Sequence, residues 1–114
     1  MSEPDWTKLR NYKREVLSRG TILRMRGEYP YENVVDFMVF DPCEPRRGLG
    51  LLVVTGYKAG LMVCTFPADT GTEKYPCFLS KQWWIDNWDK WGLECDIDTI
   101  YVADNYLAPA YPDL

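Results

Sequence analysis

The sequence predicts an α+β fold, a single domain in which an antiparallel β-sheet meander carries an N-terminal helix and a Trp-rich C-terminal helix. Three observations predict it. The chain has 114 residues, about one domain's worth and too little for two cores of ordinary size. Its middle holds three apolar runs parted by turn-rich breaks, with no helix-length segment between them, which is the order of a meander. A segment on either side of that middle instead repeats apolar residues at three- to four-residue intervals.

Residues 6–18 are expected to form the first helix. Asp5 is placed to cap it, Trp6, Leu9, Tyr12 and Val16 recur at helical spacing, and Gly20 suits the exit. Thr21–Arg26 then alternates, Leu23 and Met25 on one face and Arg24 and Arg26 on the other, a half-exposed strand. Gly27-Glu28-Tyr29-Pro30 breaks it.

The three stronger strands follow. Val34–Phe40 puts Val35, Phe37 and Val39 on one face, and Asp36 among Val34, Met38 and Phe40 on the other. Pro42 and Pro45 exclude a central strand over 41–48, so that stretch is a loop. Leu49–Thr55 and Leu61–Phe66 flank Gly56-Tyr57-Lys58-Ala59-Gly60, whose glycines permit the positive φ of a hairpin tip. Strands apolar on both faces need cover on both. After a loop over 67–78, Ser80 is placed to cap a helix from Lys81 to Trp91, with Gly92 just beyond its end. Trp84, Ile85, Trp88 and Trp91 share its apolar stripe and Trp83 falls near the border. Asp98–Val102 reads as the last strand and 105–114 as a less regular tail of one domain spanning 1–114.

Composition narrows the function. Apolar residues make up 46% and charged residues 26%, ordinary globular usage that argues against global disorder. No apolar run approaches the roughly 18 residues of a membrane span. Met1–Asp5 opens acidic with no apolar segment behind it, so neither a signal peptide nor a membrane is expected, and the expected location is the cytoplasm. The chain holds no histidine, which removes Ser-His-Asp and Cys-His nucleophiles and every His-containing zinc site. Cys43, Cys64, Cys77 and Cys95 show no C-x-x-C pair, and a reducing compartment keeps them as thiols. No cofactor, no metal and no enzymatic activity is expected.

Charge is uneven. Residues 1–26 carry seven basic and three acidic side chains, while 86–114 carry seven acidic and one basic, within a net charge of −4. Asp96-Ile97-Asp98 lacks the glycine and distal Glu of a calcium loop. Lys58 sits at a glycine-flanked tip, a poor place to desolvate a catalytic amine. The tryptophan stripe has two uses, core packing or a platform for stacked bases, and carboxylates beside the rings repel phosphates and weigh against the second.

Several phrases recur in order along the chain: Gly20-Thr21-Ile22-Leu23-Arg24, Pro30-Tyr31-Glu32, Asp36-Phe37-Met38, Val54-Thr55-Gly56-Tyr57-Lys58-Ala59-Gly60, and Trp84-Ile85-Asp86-Asn87-Trp88-Asp89-Lys90-Trp91. Together, from about Gly20 to Tyr101, they resemble a bacterial immunity-protein family of polymorphic toxin systems, immunity protein family 45. The resemblance implies a cytoplasmic protein that binds a cognate toxin domain, secreted or delivered by contact, and protects the producer. It carries over no catalytic residue and does not name the interface.

An acidic chain suits a basic target, a nuclease being one kind. The residues expected to meet the toxin are Asp86, Asp89, Asp96, Asp98 and Asp104, with Trp83 and Tyr106 as aromatic anchors. A module that binds a small ligand or single-stranded nucleic acid on the sheet and tryptophans is the alternative, although net acidity argues against direct nucleic-acid contact. A carboxylate enzyme is a third possibility, disfavoured by the missing histidine. Strands apolar on both faces also leave room for a homodimer.

Overall fold

The computed structural model describes residues 5–27, 32–106 and 111–112. The expected break at Glu28–Pro30 and most of the 105–114 tail lie outside them. Among the described residues eight strands form a six-stranded and a two-stranded sheet, joined by short helices.

The meander is present. Strand β3 (Ile22–Arg26), β4 (Val34–Phe40), β5 (Arg47–Val53) and β6 (Met62–Pro67) pair antiparallel in sequence order. Its β5–β6 turn uses Gly56 at φ 77° and Gly60 at φ 93°, where an L side chain is strained. The Glu32 carboxylate clamps this tip by accepting from the Tyr57 N–H at 3.1 Å. Beyond β3, the last strand β8 (Tyr101–Ala103) continues the sheet and β1 (Thr7–Lys8) closes that side. The predicted strand over 98–102 thus starts later, because Ile97–Thr99 forms a 3-10 turn that Asp96 caps by accepting from the Asp98 N–H.

The N-terminal helix over 6–18 is replaced by extended chain. β1 pairs with β8, Leu9–Asn11 makes one 3-10 turn, and β2 (Val16–Leu17) pairs with β7 (Leu79–Ser80). A helix of this length is marginal in water, and two β ladders satisfy the same backbone groups here. Leu9, Tyr12 and Val16 are buried as the spacing requires, but as separate anchors of a wandering segment. Gly20 takes φ 92° at the turn into β3, with no helix to end.

The Trp-rich helix is interrupted. Ser80 caps α1 (Lys81–Asp86), its Oγ accepting from the Trp83 N–H at 3.1 Å. Asn87 leaves helical geometry (φ −113°, ψ 20°), and α2 (Trp88–Trp91) restarts the coil. The Asn87 side-chain amide donates to the Trp83 carbonyl at 2.8 Å, competing for a helical acceptor.

Both helices belong to the inner face of the large sheet. Leu23, Met25, Val35, Phe37, Val39, Leu51 and Val53 meet Leu9, Tyr12, Leu17, Leu79, Trp84 and Ile100 there, and Trp83, Trp88 and Trp91 pack against that core half-buried. The outer face is covered only in part. Trp6 stacks on Arg24, ring centroid to guanidinium 4.2 Å, and the Tyr106 hydroxyl donates to Asp36. Val34 and Met62 stay exposed.

Gly92 serves a different purpose from a left-handed helix cap: its φ is −80°. A Cβ there would lie 2.3 Å from the Trp88 ring. Gly92→Ala is therefore expected to force Trp88 out of place, costing ~1–3 kcal/mol and lowering Tm by roughly 5–15 °C in a thermal melt. A Tm unchanged within error would mean that the ring moves aside freely.

Candidate functional site

The helix pair sets out the first group of candidate residues. With Trp84 turned into the core, Gln82, Asp86 and Asp89 face solvent. Gln82 donates to Asp86 at 2.8 Å, an i,i+4 contact that orients the carboxylate along the helix. Trp83 is half-buried, edge-on to Phe66 at 6.2 Å and tilted against Trp91 at 6.3 Å. Its ring is thus held by neighbours and presents one margin to solvent.

The second group gathers around the N-terminal turn. Asp98 accepts from Arg10 Nε at 2.8 Å, both side chains half or more in water. Asp104 accepts from the Tyr12 hydroxyl at 2.6 Å and lies 3.3 Å from Lys13 Nζ. Burial, then the Asp104 carboxylate, pushes the Tyr12 phenol up to about 12. In return the Tyr12 hydroxyl, followed by Lys13, holds Asp104 below the usual carboxylate range. The basic N-terminal segment and the acidic C-terminal segment, separate in sequence, are folded against each other. Exposed pairs of this kind contribute at most about 1 kcal/mol each, so the acidic excess survives mainly at the exposed Asp86, Asp89, Glu94 and Asp96, and Asp96 already caps its own turn.

Tyr106 belongs to neither group. It reaches the outer sheet face, where Asp36 accepts its hydroxyl. Asp36 is buried on that face and receives both Nε and Nη2 of Arg24, at 2.8 and 2.9 Å, while its own N–H donates to Thr55 Oγ1 at 3.0 Å. Burial, then the Asp36 carboxylate, raises the Tyr106 phenol far above its ordinary value. The alternating pattern places Arg24 and Asp36 on outer faces but cannot show that they stand opposite each other. The register does, pairing Arg24 with Asp36 across β3 and β4.

All four cysteines are free thiols, and burial pushes Cys64 and Cys95 up, toward the unreactive protonated form. Among the described residues no group of three or more Cys, Asp or Glu is placed to hold a metal ion. A cleft of about 340 Å³ opens between Met25, Phe37 and Leu51 of the sheet and Trp91–Glu94, but its lining is largely apolar. Of the helix tryptophans, Trp84 is fully buried and Trp88 donates its indole N–H to the Cys95 carbonyl at 3.1 Å, while Trp91 lines the cleft. Among the described residues no helix is long and apolar enough to cross a membrane.

No curated protein and no solved structure matches the chain. A family model described as immunity protein 45 matches residues 9–102. The match begins at the buried anchor Leu9 and ends in β8, so it takes in the helix pair and β2 to β7 and leaves β1, Asp104 and Tyr106 just outside. With most of its length matched in this way, the chain belongs to the immunity protein 45 family.

Proposed function

We propose that this chain binds a cognate bacterial toxin domain in the cytoplasm and neutralises it, protecting the producing cell, and that it acts by contact without transforming a substrate. Family membership over residues 9–102 is the observation that carries this reading. Within the reading, Asp86, Asp89 and Asp96 are the carboxylates most available to a basic toxin surface, with Asp98 and Asp104 beside them in ion pairs that a toxin cation can share. Trp83 supplies a rigid aromatic margin next to Asp86. Such a contact buries on the order of 1,600 Å² in total, and a few residues carry most of its energy. Acidic complementarity speeds encounter more than it tightens the final complex.

Co-expression tests the class of function. Growth rescue from the toxin domain encoded beside the chain's gene, with co-purification at near one-to-one stoichiometry, is the expected result. Asp86→Lys with Asp89→Lys tests the surface. Association is expected to slow by roughly tenfold or more at low ionic strength and the salt dependence to flatten. Rescue with unchanged rates and salt slope would move the interface elsewhere while leaving neutralisation standing. A chain that neither rescues nor co-purifies would remove the reading itself.

A further inference from the structure

The large sheet ends in two different edges. β1 is two residues long and carries Lys8, which is brevity and charge of the kind that blunts an edge. β6 is six residues long, Met62–Pro67, and among the described residues no strand pairs with its outer side. From Ala59 to Ala68 the sequence holds no Lys, Arg, Asp or Glu. Leu61, Met62 and Val63 are 59%, 62% and 44% exposed, and Tyr57 at the adjoining tip is 66% exposed. The register steps from Leu51↔Cys64 to Leu52↔Met62, so Val63 is an extra residue in the strand, and it lines the cleft beside Phe37 and Leu51.

We propose that β6 is a self-association edge, at which a second copy of this chain adds its own β6 antiparallel. Charge selects this occupant. Lys58 stands at the hairpin end of the strand and Asp69 at the other end. An antiparallel pairing with its two-fold axis between Val63 and Cys64 sets Lys58 of one copy beside Asp69 of the other, twice, whereas parallel pairing sets like beside like. The stretch between them holds no carboxylate, so two acidic molecules set no acidic side chains of β6 against each other across the seam. A six-residue strand is about 20 Å long. With Tyr57 and Leu61 at its flank it covers less than the roughly 800 Å² per partner of a stable interface, so the dimer is a weak, micromolar one. The inference is independent of toxin binding.

Sedimentation velocity on the full chain is the test, from about 5 µM to about 500 µM, a span that brackets a micromolar Kd. The mean mass is expected to rise from 13.3 kDa toward twice that value, with β6 amides gaining exchange protection as concentration rises. Met62→Lys, at an exposed position, is expected to abolish the rise. Lys58→Glu sets carboxylates face to face and is expected to weaken dimerisation by roughly fivefold or more. Adding Asp69→Asn, which tolerates the positive φ at that position (64°), is expected to recover it. If Met62→Lys fails to fold, the Lys58 and Asp69 pair decides. A wild-type chain monomeric throughout overturns the proposal, and so does a dimer indifferent to all three changes. A monomer that loses toxin capture on Met62→Lys gives the edge to the toxin and overturns it equally.

Discussion

Trp84→Ala is expected to lower the free energy of unfolding by ~3–5 kcal/mol, the largest loss of any single truncation in the inner core. Trp84 is fully buried, with Phe66 edge-on at 5.5 Å and Trp88 tilted at 5.0 Å. Removing the indole opens a cavity that the surrounding rings cannot collapse into without giving up their own contacts. It also removes a tether, since the indole N–H donates to the Trp91 carbonyl at 2.9 Å and holds the end of α2 over the sheet. Domains of this size have about 5–15 kcal/mol of stability in all, so the variant is expected to be partly unfolded at growth temperature. Urea titration measures the effect, the midpoint falling while the slope stays constant. Trp84→Phe separates the two contributions: most of the apolar area stays and the hydrogen bond goes, for an expected cost of roughly 1–2 kcal/mol. Equal losses in the two variants would place the energy in the tether, and no loss in either would mean that the helix pair is dispensable to the core.

The parts of this fold that were legible in the sequence are those governed by local rules. Period-two alternation marks β4 to the residue, because Val35, Phe37 and Val39 face the core and Asp36 faces away. Gly56 and Gly60 announce the hairpin, and Ser80 announces the start of α1. The N-terminal segment shows where such rules stop. Four anchors at helical spacing suit a helix, and they equally suit an extended chain that dips into the core at Leu9, Tyr12 and Val16. The decision rests on partners about 60 to 90 residues away, β7 and β8, and periodicity within the segment says nothing of them. The helix break at Asn87 has a local cause in a side chain that competes for backbone acceptors, but the apolar stripe continues through it and conceals it. For the candidate surface, the acidic excess is legible as charge. Its partial neutralisation is not, since Arg10 with Asp98 and Lys13 with Asp104 are joined only by the path of the chain. Tyr106 reads as an aromatic anchor in the same stretch and is drawn to the other face by Asp36.

That outer-face network gives the second large effect. Asp36→Ala is expected to cost ~3 kcal/mol, toward the lower end for a broken buried ion pair, because Arg24 keeps 37% of its side chain in water while Asp36 keeps 2%. The carboxylate joins three elements: Arg24 from β3 by two bonds, β4 through its own backbone, and Tyr106 from beyond β8. Without it the guanidinium keeps its stack on Trp6 but loses both bonds to the carboxylate, and the Tyr106 hydroxyl loses its acceptor. The penalty of buried groups that lose a bond can be told apart from that of a lost attraction. Arg24→Met combined with Asp36→Leu removes both charges and puts apolar volume on a face that already holds Met38 and Leu52. The double variant is expected to be more stable than Asp36→Ala by ~1–3 kcal/mol. A double variant as unstable as the single one would mean that the ion pair itself, by its attraction, holds β3, β4 and the C-terminal segment together. On the proposed reading, in which Asp86 and Asp89 meet a toxin, neutralisation by the double variant is expected to match wild type below its melting temperature, because the network lies across the sheet from them.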